Sequence, residues 1–487
     1  MNPQEILKDV PTQLFLGGQW TDGASGETLD VINPADGQVL TSVASADEAD
    51  ARRALDLAAA AQEDWAARPA RERSEILVKA FNLCHEHSEK LAYLMSLELG
   101  RALPDSRAEV AYSAEFFRWF AEEGVRVRGD YRIAPSGNAR IVVTHHAVGP
   151  VLAVTPWNFP LAMGTRKLGP ALAAGCTVVC KPASKTPLTM LYLGKLLKEA
   201  GVPDGVVSIL PSKKASNVSA ILDDARVRKL TFTGSTEVGQ MLAEKAAKHS
   251  MKVSLELGGN APYIVLSDAD VATAAKAVAV AKMRGGGQVC IAANRFLVHE
   301  DVKEEFVQGV VEEMKAFRMG PGTDEKTTLG PLSGEDQLDK VSSLVDDAKS
   351  KGATVLLGGE RGLIGENNPE GYFYPATVLS DVSAECDLAN EEIFGPVVAV
   401  QTFSDDKEAI RMANDTPFGL AAYVFGETGH ALAVAEKVEA GMVAVNKGGL
   451  SDPAAPFGGV KESGLGREGG FEGIHEFLET QFISLPL

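Results

Sequence analysis

The sequence predicts an α/β fold organised around a doubly wound parallel sheet. From Val151 onward, short apolar runs alternate with helical stretches of roughly ten to fifteen residues, which is the pattern of βαβ units. The apolar runs lie at 151–155, 177–180, 206–210 and 229–233. Because 487 residues exceed one ordinary hydrophobic core, we expect at least two domains.

Composition and charge narrow the class of protein. Apolar residues make up 45% of the chain and charged residues 23%, which is typical of a globular protein with a sizeable core. The formal net charge of −19 argues against nucleic acid or an anionic membrane as a partner, because either would require a basic face. An anionic small molecule would therefore need a local basic pocket.

Cysteine content and the lack of long apolar stretches predict a cytoplasmic location. Five cysteines, irregularly spaced, do not form a disulfide pattern and favour a reducing compartment. Residues 1–10 contain no apolar core of a signal peptide, and no run of about 18 apolar residues could cross a membrane. Cys176 and Cys180 are expected to pack in the core around an apolar strand, and we predict no metal site.

The first 130 residues predict a short β segment followed by helices. Phe15 to Trp20 places strand-forming residues around a Gly-Gly turn, and two or three helices are expected to reach about Glu123. Ser45 and Glu48 have capping-box spacing, which predicts that the first helix is capped at Ser45.

A β-hairpin is predicted between Tyr131 and His146. The turn residues 135–138 separate two β-rich runs, one of which extends from Arg140 to Thr144. An exposed hairpin can add its edge to another sheet, which gives a physical route to an oligomer.

Unusual polar and glycine residues follow the predicted strands of the parallel sheet, where such sheets bind ligands. Residues 156–160 follow the first strand, residues 181–185 the second and residues 233–239 the fourth. The last of these segments opens a helix whose N-terminus could hold a phosphate group. Gly234 and Gly239 do not match the GxGxxG pattern and are weak evidence for a dinucleotide on their own.

A carboxylate and a thiol, Glu256 and Cys290, stand in two glycine-rich segments, 256–259 and 285–290. Glycine at such positions usually marks close approach of the backbone or a positive φ. A thiol that attacks a carbonyl group needs this access. Taken singly, a Cys is more often a small buried residue and a Glu a solvated surface group.

Six motifs extend over nearly the whole chain. They are Pro-Trp-Asn-Phe-Pro (156–160), Phe-Thr-Gly-Ser (232–235), Glu-Leu-Gly-Gly (256–259), Gly-Gln-Val-Cys (287–290), Glu-Glu-Ile-Phe-Gly-Pro (391–396) and Pro-Phe-Gly-Gly-Val-Lys-Glu-Ser-Gly-Leu-Gly-Arg-Glu (456–468). In these motifs, and in their order and spacing, the chain resembles the aldehyde dehydrogenase superfamily. Within it, the chain is most similar to the succinate-semialdehyde dehydrogenases.

The resemblance implies a covalent mechanism centred on Cys290. A Cys thiolate is the nucleophile that most readily forms, near neutral pH, the tetrahedral centre from which an aldehyde loses hydride. The side-chain amide of Asn158 and the backbone N–H of Cys290 would stabilise the oxyanion. A thioester then remains, and Glu256 would activate the water that hydrolyses it.

The resemblance also implies a set of cofactor contacts. Lys181 would meet the adenosine ribose, Ser235 the pyrophosphate and Glu392 the nicotinamide ribose. Phe394 would pack beside the nicotinamide. The complete expected set is Trp157, Lys181, Ser184, Lys185, Gly234, Ser235, Glu392 and Phe394.

Residues 184–185 predict a preference for NADP, with NAD as the second cofactor. At the position after Lys-Pro-Ala, many NAD-using relatives have a Glu, whose carboxylate binds the ribose 2′-hydroxyl and repels a 2′-phosphate. Here Ser184 removes that repulsion and Lys185 adds a cation. The alternative is a surface Ser-Lys pair that does not discriminate.

Three positions predict a substrate with a distal carboxylate, such as succinate semialdehyde. In the similar subfamily, arginines stand at the positions of Arg166 and Arg284, and a serine at that of Ser451. An Arg side chain can pair with both oxygens of a carboxylate. The alternative is that these arginines lie on helix surfaces. Asp452 adds a negative charge next to the expected anion site. The alternative substrate is therefore another carboxylated or small aliphatic aldehyde, such as glutarate semialdehyde.

Functions of other classes fit the sequence less well. A relative that transfers the acyl group to coenzyme A commonly lacks the carboxylate found here as Glu256. A noncatalytic structural relative would be expected to have lost Cys290 or Glu256. A plain thiol hydrolase remains open, because the same thiol and oxyanion donor can cleave activated esters.

The resemblance implies two doubly wound parallel-sheet domains and a small β element for oligomerisation. We expect a cofactor-binding domain from 1–130 and 149–256, a catalytic domain from 257–446, and the oligomerisation element and C-terminal segment from 131–148 and 447–487. A homodimer or homotetramer that acts on a small-molecule aldehyde is expected, with no nucleic acid or membrane as a partner.

Overall fold

The amino-terminal region combines short strands with five helices. The computed structural model describes residues 3–362 and 371–487. The first elements are α1 (Pro3–Leu7), β1 (Leu14–Leu16), β2 (Gln19–Thr21), β3 (Thr28–Ile32), β4 (Val39–Ala44), α2 (Glu48–Ala67), α3 (Ala70–Glu86), α4 (Ser88–Leu99) and α5 (Leu103–Gly124). Helices α2 to α5 reach Gly124, so four helices follow the short strands where two or three were predicted.

The predicted cap of α2 at Ser45 is wrong by two residues. The helix is capped by Asp47, whose side chain accepts a hydrogen bond from the backbone N–H of Asp50 at 3.0 Å, and the Asp50 carboxylate accepts one in return. The hydroxyl of Ser45 instead accepts a hydrogen bond from the backbone N–H of Lys213. Ser45 therefore joins two distant segments, which local spacing cannot show.

The predicted hairpin is confirmed, because β5 (Asp130–Ile133) and β6 (Ala139–Ala147) pair antiparallel. The C-terminal strand (Leu478–Pro486) pairs with the other side of β6 and completes a three-stranded sheet. The registers align Tyr131 with Val142 and Ile483, and Ile133 with Arg140 and Leu485, so these side chains share one face. Four of them form an exposed apolar surface: Tyr131, Ile133, Ile483 and Leu485.

The first large sheet contains every strand predicted for the βαβ region. The elements are β7 (Val151–Val154), α6 (Ala162–Ala174), β8 (Val178–Lys181), α7 (Pro187–Ala200), β9 (Val207–Ile209), α8 (Ala215–Ser219), β10 (Lys229–Thr233), α9 (Thr236–Ala247) and β11 (Lys252–Glu256). The strand order β9-β8-β7-β10-β11 is parallel throughout, and β1 joins antiparallel beside β9. The chain therefore winds outward from β7 in both directions.

The second large sheet repeats this arrangement. Its region comprises β12 (Ala261–Val265), α10 (Val271–Ala281), β13 (Ala293–His299), α11 (Lys303–Lys315), α12 (Glu335–Ser350), β14 (Thr354–Leu357), β15 (Thr377–Ser380), α13 (Asp387–Asn390), β16 (Val397–Phe403), α14 (Asp406–Asn414), β17 (Phe418–Gly419), β18 (Ala421–Phe425), α15 (Thr428–Ala435) and β19 (Met442–Val445). The order is β14-β15-β16-β13-β12-β18-β19, and only β14 runs against its neighbour among these strands. The predicted fold of two doubly wound sheets and a small β element is confirmed.

The C-terminal segment connects all parts of the fold. It contains β20 (Val460–Lys461), β21 (Gly464–Leu465) and β22 (Leu478–Pro486), the strand already described. β20 pairs with β17, β21 pairs antiparallel with β11, and β22 pairs with β6. The segment thus passes from the second unit to the edge of the first sheet and then to the small sheet.

Both faces of the large sheets are buried. In β7, Val151 and Ala153 belong to one apolar cluster and Leu152 to another on the opposite face. This is why the strands read as continuous apolar runs. Cys176 and Cys180 are fully buried in the same core as Val151, as predicted. No helix in the described ranges is long and apolar enough to cross a membrane.

Candidate active site

A cavity of about 180 Å³ opens at the point where the first sheet changes its direction of winding. β7 and β10 are neighbours there, although the chain continues from β7 to β8 on the other side. Open α/β sheets bind ligands at such switch points, beyond the carboxyl ends of the strands. The predicted site residues that line the cavity are Trp157, Asn158, Gly234, Ser235, Cys290, Glu392 and Phe394.

The second sheet contributes residues from the amino ends of its strands. Cys290 precedes β13, and Glu392 and Phe394 precede β16. These residues face the carboxyl ends of β7 and β10 across the cavity. The rule that parallel sheets bind ligands beyond the carboxyl ends of their strands therefore holds for the first sheet. It does not describe the position of Cys290, which lies at the amino end of a strand of the second sheet.

Glycines bring the backbone close around Cys290. Residues 285–287 have φ values of 60°, 66° and 78°, which side chains rarely adopt. A Cβ atom at Gly287 would lie 2.2 Å from the carbonyl oxygen of Gly395, and one at Gly259 would lie 2.7 Å from that of Cys290. The prediction that these glycines mark positive φ and close approach is confirmed.

The environment of Cys290 disfavours a resting thiolate. Burial raises the pKa of the Cys290 thiol to about 12, and the positive charge of Arg166 opposes this rise. The nearby carboxylates of Glu392 and Glu256 add to it, whereas Arg284 also opposes it. The thiol must therefore lose its proton to a base as it attacks a carbonyl group.

Glu256 ends β11 and is enclosed by the C-terminal segment. It pairs with Gly464 of β21, and a Cβ atom at Gly458 would lie 2.9 Å from its Oε1 atom. Burial raises the pKa of Glu256 well above its usual range, and repulsion from Glu468 raises it further, against the opposing charge of Arg166. Its buried Oε2 atom has no hydrogen-bond partner among the residues that the structure describes.

Two charged residues that sequence analysis did not assign adjoin this carboxyl group. Lys167 Nζ donates hydrogen bonds to Thr233 Oγ1 at 2.7 Å and to Glu468 Oε1. Both side chains are buried, and the charge of Lys167 lowers the pKa of Glu256. Glu468 is the last residue of the motif at 456–468, and this position is the sequence feature that could have identified it.

The amide of Asn158 is oriented by hydrogen bonds on both its side chain and its backbone. Its Nδ2 atom donates to the carbonyl oxygen of Gln288 at 3.0 Å, which leaves the second N–H of the amide for another acceptor. The backbone oxygen of Asn158 accepts a hydrogen bond from the guanidinium of Arg101. Arg101 forms a buried ion pair with Glu109, whose Oε1 accepts from the backbone N–H groups of residues 161–162. Sequence analysis missed Arg101 and Glu109 because neither lies in a motif.

The amino end of α9 borders the cavity. Its N-cap, Ser235, lines the cavity and makes no side-chain capping hydrogen bond within the described part of the chain. Helix N-termini of this kind can bind anions. A Cβ atom at Gly234 would lie 2.5 Å from the ring of Phe232. Glycine therefore keeps this turn narrow, which fits the passage of a pyrophosphate.

Glu392 and Phe394 form the opposite wall. The Oε1 atom of Glu392 accepts a hydrogen bond from the backbone N–H of Gly259 at 3.3 Å, and burial raises the pKa of Glu392 to about 7. Phe394 has a positive φ of 55° and meets the ring of Trp157 edge to face at 5.4 Å. Gln337 of α12 donates to the carbonyl oxygen of Phe394 at 2.9 Å and supports this strained turn.

Lys340 is a cavity residue that sequence analysis missed. It lies on α12, close to Gln337, and its positive charge lowers the pKa of Glu392. No motif includes α12, so only the folded chain reveals that this helix borders the cavity.

The predicted adenosine-side residues surround the turn after β8. Lys181 is buried and donates to the carbonyl oxygen of Pro182 at 3.0 Å, and burial lowers its pKa to about 8. Residues 183–186 form a turn that presents the half-buried Ser184 and Lys185. The Nζ atom of Lys185 lies 2.7 Å from Asp336 Oδ1, a partner that sequence analysis did not foresee.

Arg166 is an interior residue of α6. Its side chain is 2% exposed and its guanidinium lies 4.0 Å from the ring centre of Phe457. Nη2 donates to the hydroxyl of Tyr112 at 2.7 Å, and Nη1 lies 3.6 Å from Glu468 Oε2. Within 3–362 and 371–487, Nε and Nη1 have no hydrogen-bond partner. The alternative that Arg166 lies on a helix surface is therefore wrong.

The other two predicted substrate contacts, Arg284 and Ser451, do not line the cavity that contains Cys290. Arg284 is half-buried over the ring of Phe159 at 5.1 Å, and it lines a small cavity together with Leu450, the neighbour of the half-buried Ser451. Asp452 is exposed, and its carboxylate accepts a hydrogen bond from the backbone of its own loop. The carboxylate of Asp452 is therefore bound by the backbone of its own loop.

Two α/β units that enclose a thiol, an amide and a buried carboxyl group define an NAD(P)-dependent aldehyde dehydrogenase. The family model described as "Aldehyde dehydrogenase family" matches residues 20–483, and the chain belongs to that family.

Similar proteins add detail to this assignment. The chain is 48% identical to a succinate-semialdehyde dehydrogenase of Paenarthrobacter nicotinovorans, over 92% of this chain and 99% of that protein. It is 44% identical to a glutarate-semialdehyde dehydrogenase of Pseudomonas putida, over 99% of this chain and 100% of the relative. The crystal structure of an NADP-dependent enzyme of Escherichia coli superposes with a TM-score of 0.96, 43% identity and complete coverage of both chains.

Proposed function

We propose that this aldehyde dehydrogenase oxidises succinate semialdehyde to succinate with NADP. The observation that carries the proposal is the buried guanidinium of Arg166, which has two nitrogen atoms without a hydrogen-bond partner in the described structure and lies close enough to influence the pKa values of Cys290 and Glu256. A buried cation in a protein with a net charge of −19 favours an anionic substrate group. The relative from Paenarthrobacter supports succinate semialdehyde.

The proposed reaction uses Cys290, Asn158 and Glu256 in two stages. The thiol transfers its proton to water as its sulfur adds to the aldehyde carbon, and the free amide N–H of Asn158 and the backbone N–H of Cys290 stabilise the oxyanion. Bound NADP supplies the hydride acceptor. Glu256 then takes a proton from water, and the resulting attack on the thioester releases succinate and restores the thiol.

The residues around the cavity fit the binding of a dinucleotide. The open N-terminus of α9 can bind the pyrophosphate, and Glu392 can accept hydrogen bonds from the nicotinamide ribose. Ser184 and Lys185 offer a hydroxyl group and a cation on the adenosine side, which supports NADP as the preferred cofactor. The NADP-dependent enzyme of Escherichia coli supports the same preference.

One panel of steady-state measurements tests both specificities. The kcat/KM values for succinate semialdehyde, glutarate semialdehyde and butyraldehyde are measured with NADP and with NAD. The highest value is expected for succinate semialdehyde with NADP. A higher value for glutarate semialdehyde would favour the second candidate, which the Pseudomonas relative supports. A best value for butyraldehyde would refute the proposal of an anionic substrate. Oxidation of these aldehydes that requires a cofactor would distinguish the dehydrogenase from a plain thiol hydrolase, which cannot oxidise an aldehyde.

We also propose that the enzyme is a cytoplasmic homodimer or homotetramer. The apolar surface of the small sheet, with Tyr131 and Ile133 64% and 60% exposed, supports association through the predicted element at 131–148 and 447–487. Both outer strands of that sheet also have free edges for pairing. The five free cysteines are consistent with a reducing compartment.

A further inference from the structure

The turn after β8 is joined to α12 by an ion pair. Lys185 Nζ lies 2.7 Å from Asp336 Oδ1 and 2.9 Å from Oδ2. The side chain of Lys185 is 33% exposed, so most of its length is held against the protein, whereas that of Asp336 is 72% exposed. A Cβ atom at Gly334 would lie 3.1 Å from Lys185 Nζ and 2.7 Å from Asp336 Oδ1. The glycine therefore leaves room for the pair.

This ion pair lies at the rim of the cofactor cavity. Gln337, the next residue after Asp336, lines the cavity, and so does Lys340 one helical turn further on. On the other side, Lys185 Nζ lies 5.5 Å from the ring centre of Trp157, which is also a cavity residue. The carboxylate of Asp336 is thus the nearest recorded partner of the cation that we assign to the 2′-phosphate.

We infer that Asp336 is a cofactor-specificity residue, because it holds Lys185 and opposes the binding of a 2′-phosphate. This inference rests on the proposed placement of the 2′-phosphate beside Ser184 and Lys185. A 2′-phosphate must draw Lys185 away from Asp336 or share it, and it also meets the negative charge of the carboxylate. The 2′-hydroxyl of NAD requires neither change. Asp336 therefore reduces the preference for NADP and lets NAD serve as well.

The test compares Asp336→Asn with wild type in the ratio of kcat/KM for NADP to kcat/KM for NAD. Partly exposed ion pairs contribute little free energy, so the ratio is expected to rise by only about two- to fivefold. The kcat/KM value for NAD is expected to stay nearly unchanged. In a Lys185→Ala background, the same substitution is expected to raise the ratio by a smaller factor. Asp339→Asn is the matched control, since it removes an equal charge from α12 but one that pairs with Arg361.

Three results would overturn the inference. One is an unchanged ratio in Asp336→Asn, and another is a rise of equal size in Asp339→Asn. The third is an equal loss for both cofactors together with a lower Tm, which would make the ion pair a structural link between the turn and α12. The wild-type ratio tests the proposed NADP preference separately, because Asp336→Asn can shift the ratio upward from any starting value.

Discussion

Burial, more than any single neighbour, determines the ionisation of Glu256. A base with a raised pKa is protonated at low pH and becomes active only as the pH rises through that pKa. We expect the rate of thioester hydrolysis to fall on the acid side, with an apparent pKa above 4.5, the usual value for Glu. Single-turnover hydrolysis measured from pH 5 to 9 checks this, and a flat profile would contradict the assignment of Glu256 as the base.

Replacement of the two reacting groups separates the stages. Glu256→Gln is expected to give a burst of reduced cofactor followed by a stall, because the thioester forms but is not hydrolysed. Cys290→Ala is expected to bind the cofactor without any burst. Rapid-mixing absorbance measurements distinguish these results. Steady turnover by Cys290→Ala above about a thousandth of wild type would disprove its role as nucleophile.

Arg284 offers a clean test of the substrate carboxylate. Arg284→Ala is expected to lower kcat/KM for succinate semialdehyde by a factor equivalent to about 2–4 kcal/mol of transition-state stabilisation. The reason is that an enclosed anion loses its charged partner. Butyraldehyde serves as the neutral control and should be almost unaffected. The same change at Arg166 would also remove a counter-charge of Glu256, so it is expected to slow both aldehydes. Equal losses for both aldehydes in Arg284→Ala would mean that Arg284 is structural.

At the scale of elements, the sequence predicts what is determined locally. The strands of the first sheet could be located because both of their faces are buried, which leaves continuous apolar runs such as 151–155. The glycines before Cys290 could be interpreted because a positive φ restricts residue type. Arg101, Asp336 and Lys340 could not be found, because their importance depends on partners far away in the chain.

The glycine turn before Cys290 allows the cost of a close backbone approach to be measured. Gly287→Ala is expected to destabilise the protein by more than Gly201→Ala. Both residues have a positive φ, which costs about 1–2 kcal/mol for alanine. A Cβ atom at Gly287 would also collide with the carbonyl group of Gly395 at 2.2 Å, whereas one at Gly201 has no described atom within 4 Å. Denaturant unfolding measures the difference, and equal costs would show that the collision relaxes freely.

At the scale of the whole molecule, the small sheet is the part whose apolar surface has no partner within the described chain. Ile133→Asp combined with Ile483→Asp is expected to lower the mass in solution, because both side chains lie on the apolar face of that sheet. Light scattering after gel filtration gives the mass. Leu432→Asp on α15 is the control, since Leu432 is 50% exposed but distant from the sheet in the chain. An unchanged mass in the double variant would exclude this face as the interface.

The route of the C-terminal segment has a consequence for how the enzyme is made. Ribosomes synthesise Cys290, Asn158 and the parallel strands of both large sheets before they reach Gly464, which pairs with Glu256, and Glu468, which adjoins Lys167. The environment that raises the pKa of Glu256 is therefore complete only after Glu468 has been synthesised. A nascent chain that stops before residue 464 therefore contains Cys290 and Glu256 but lacks the strand that pairs with Glu256.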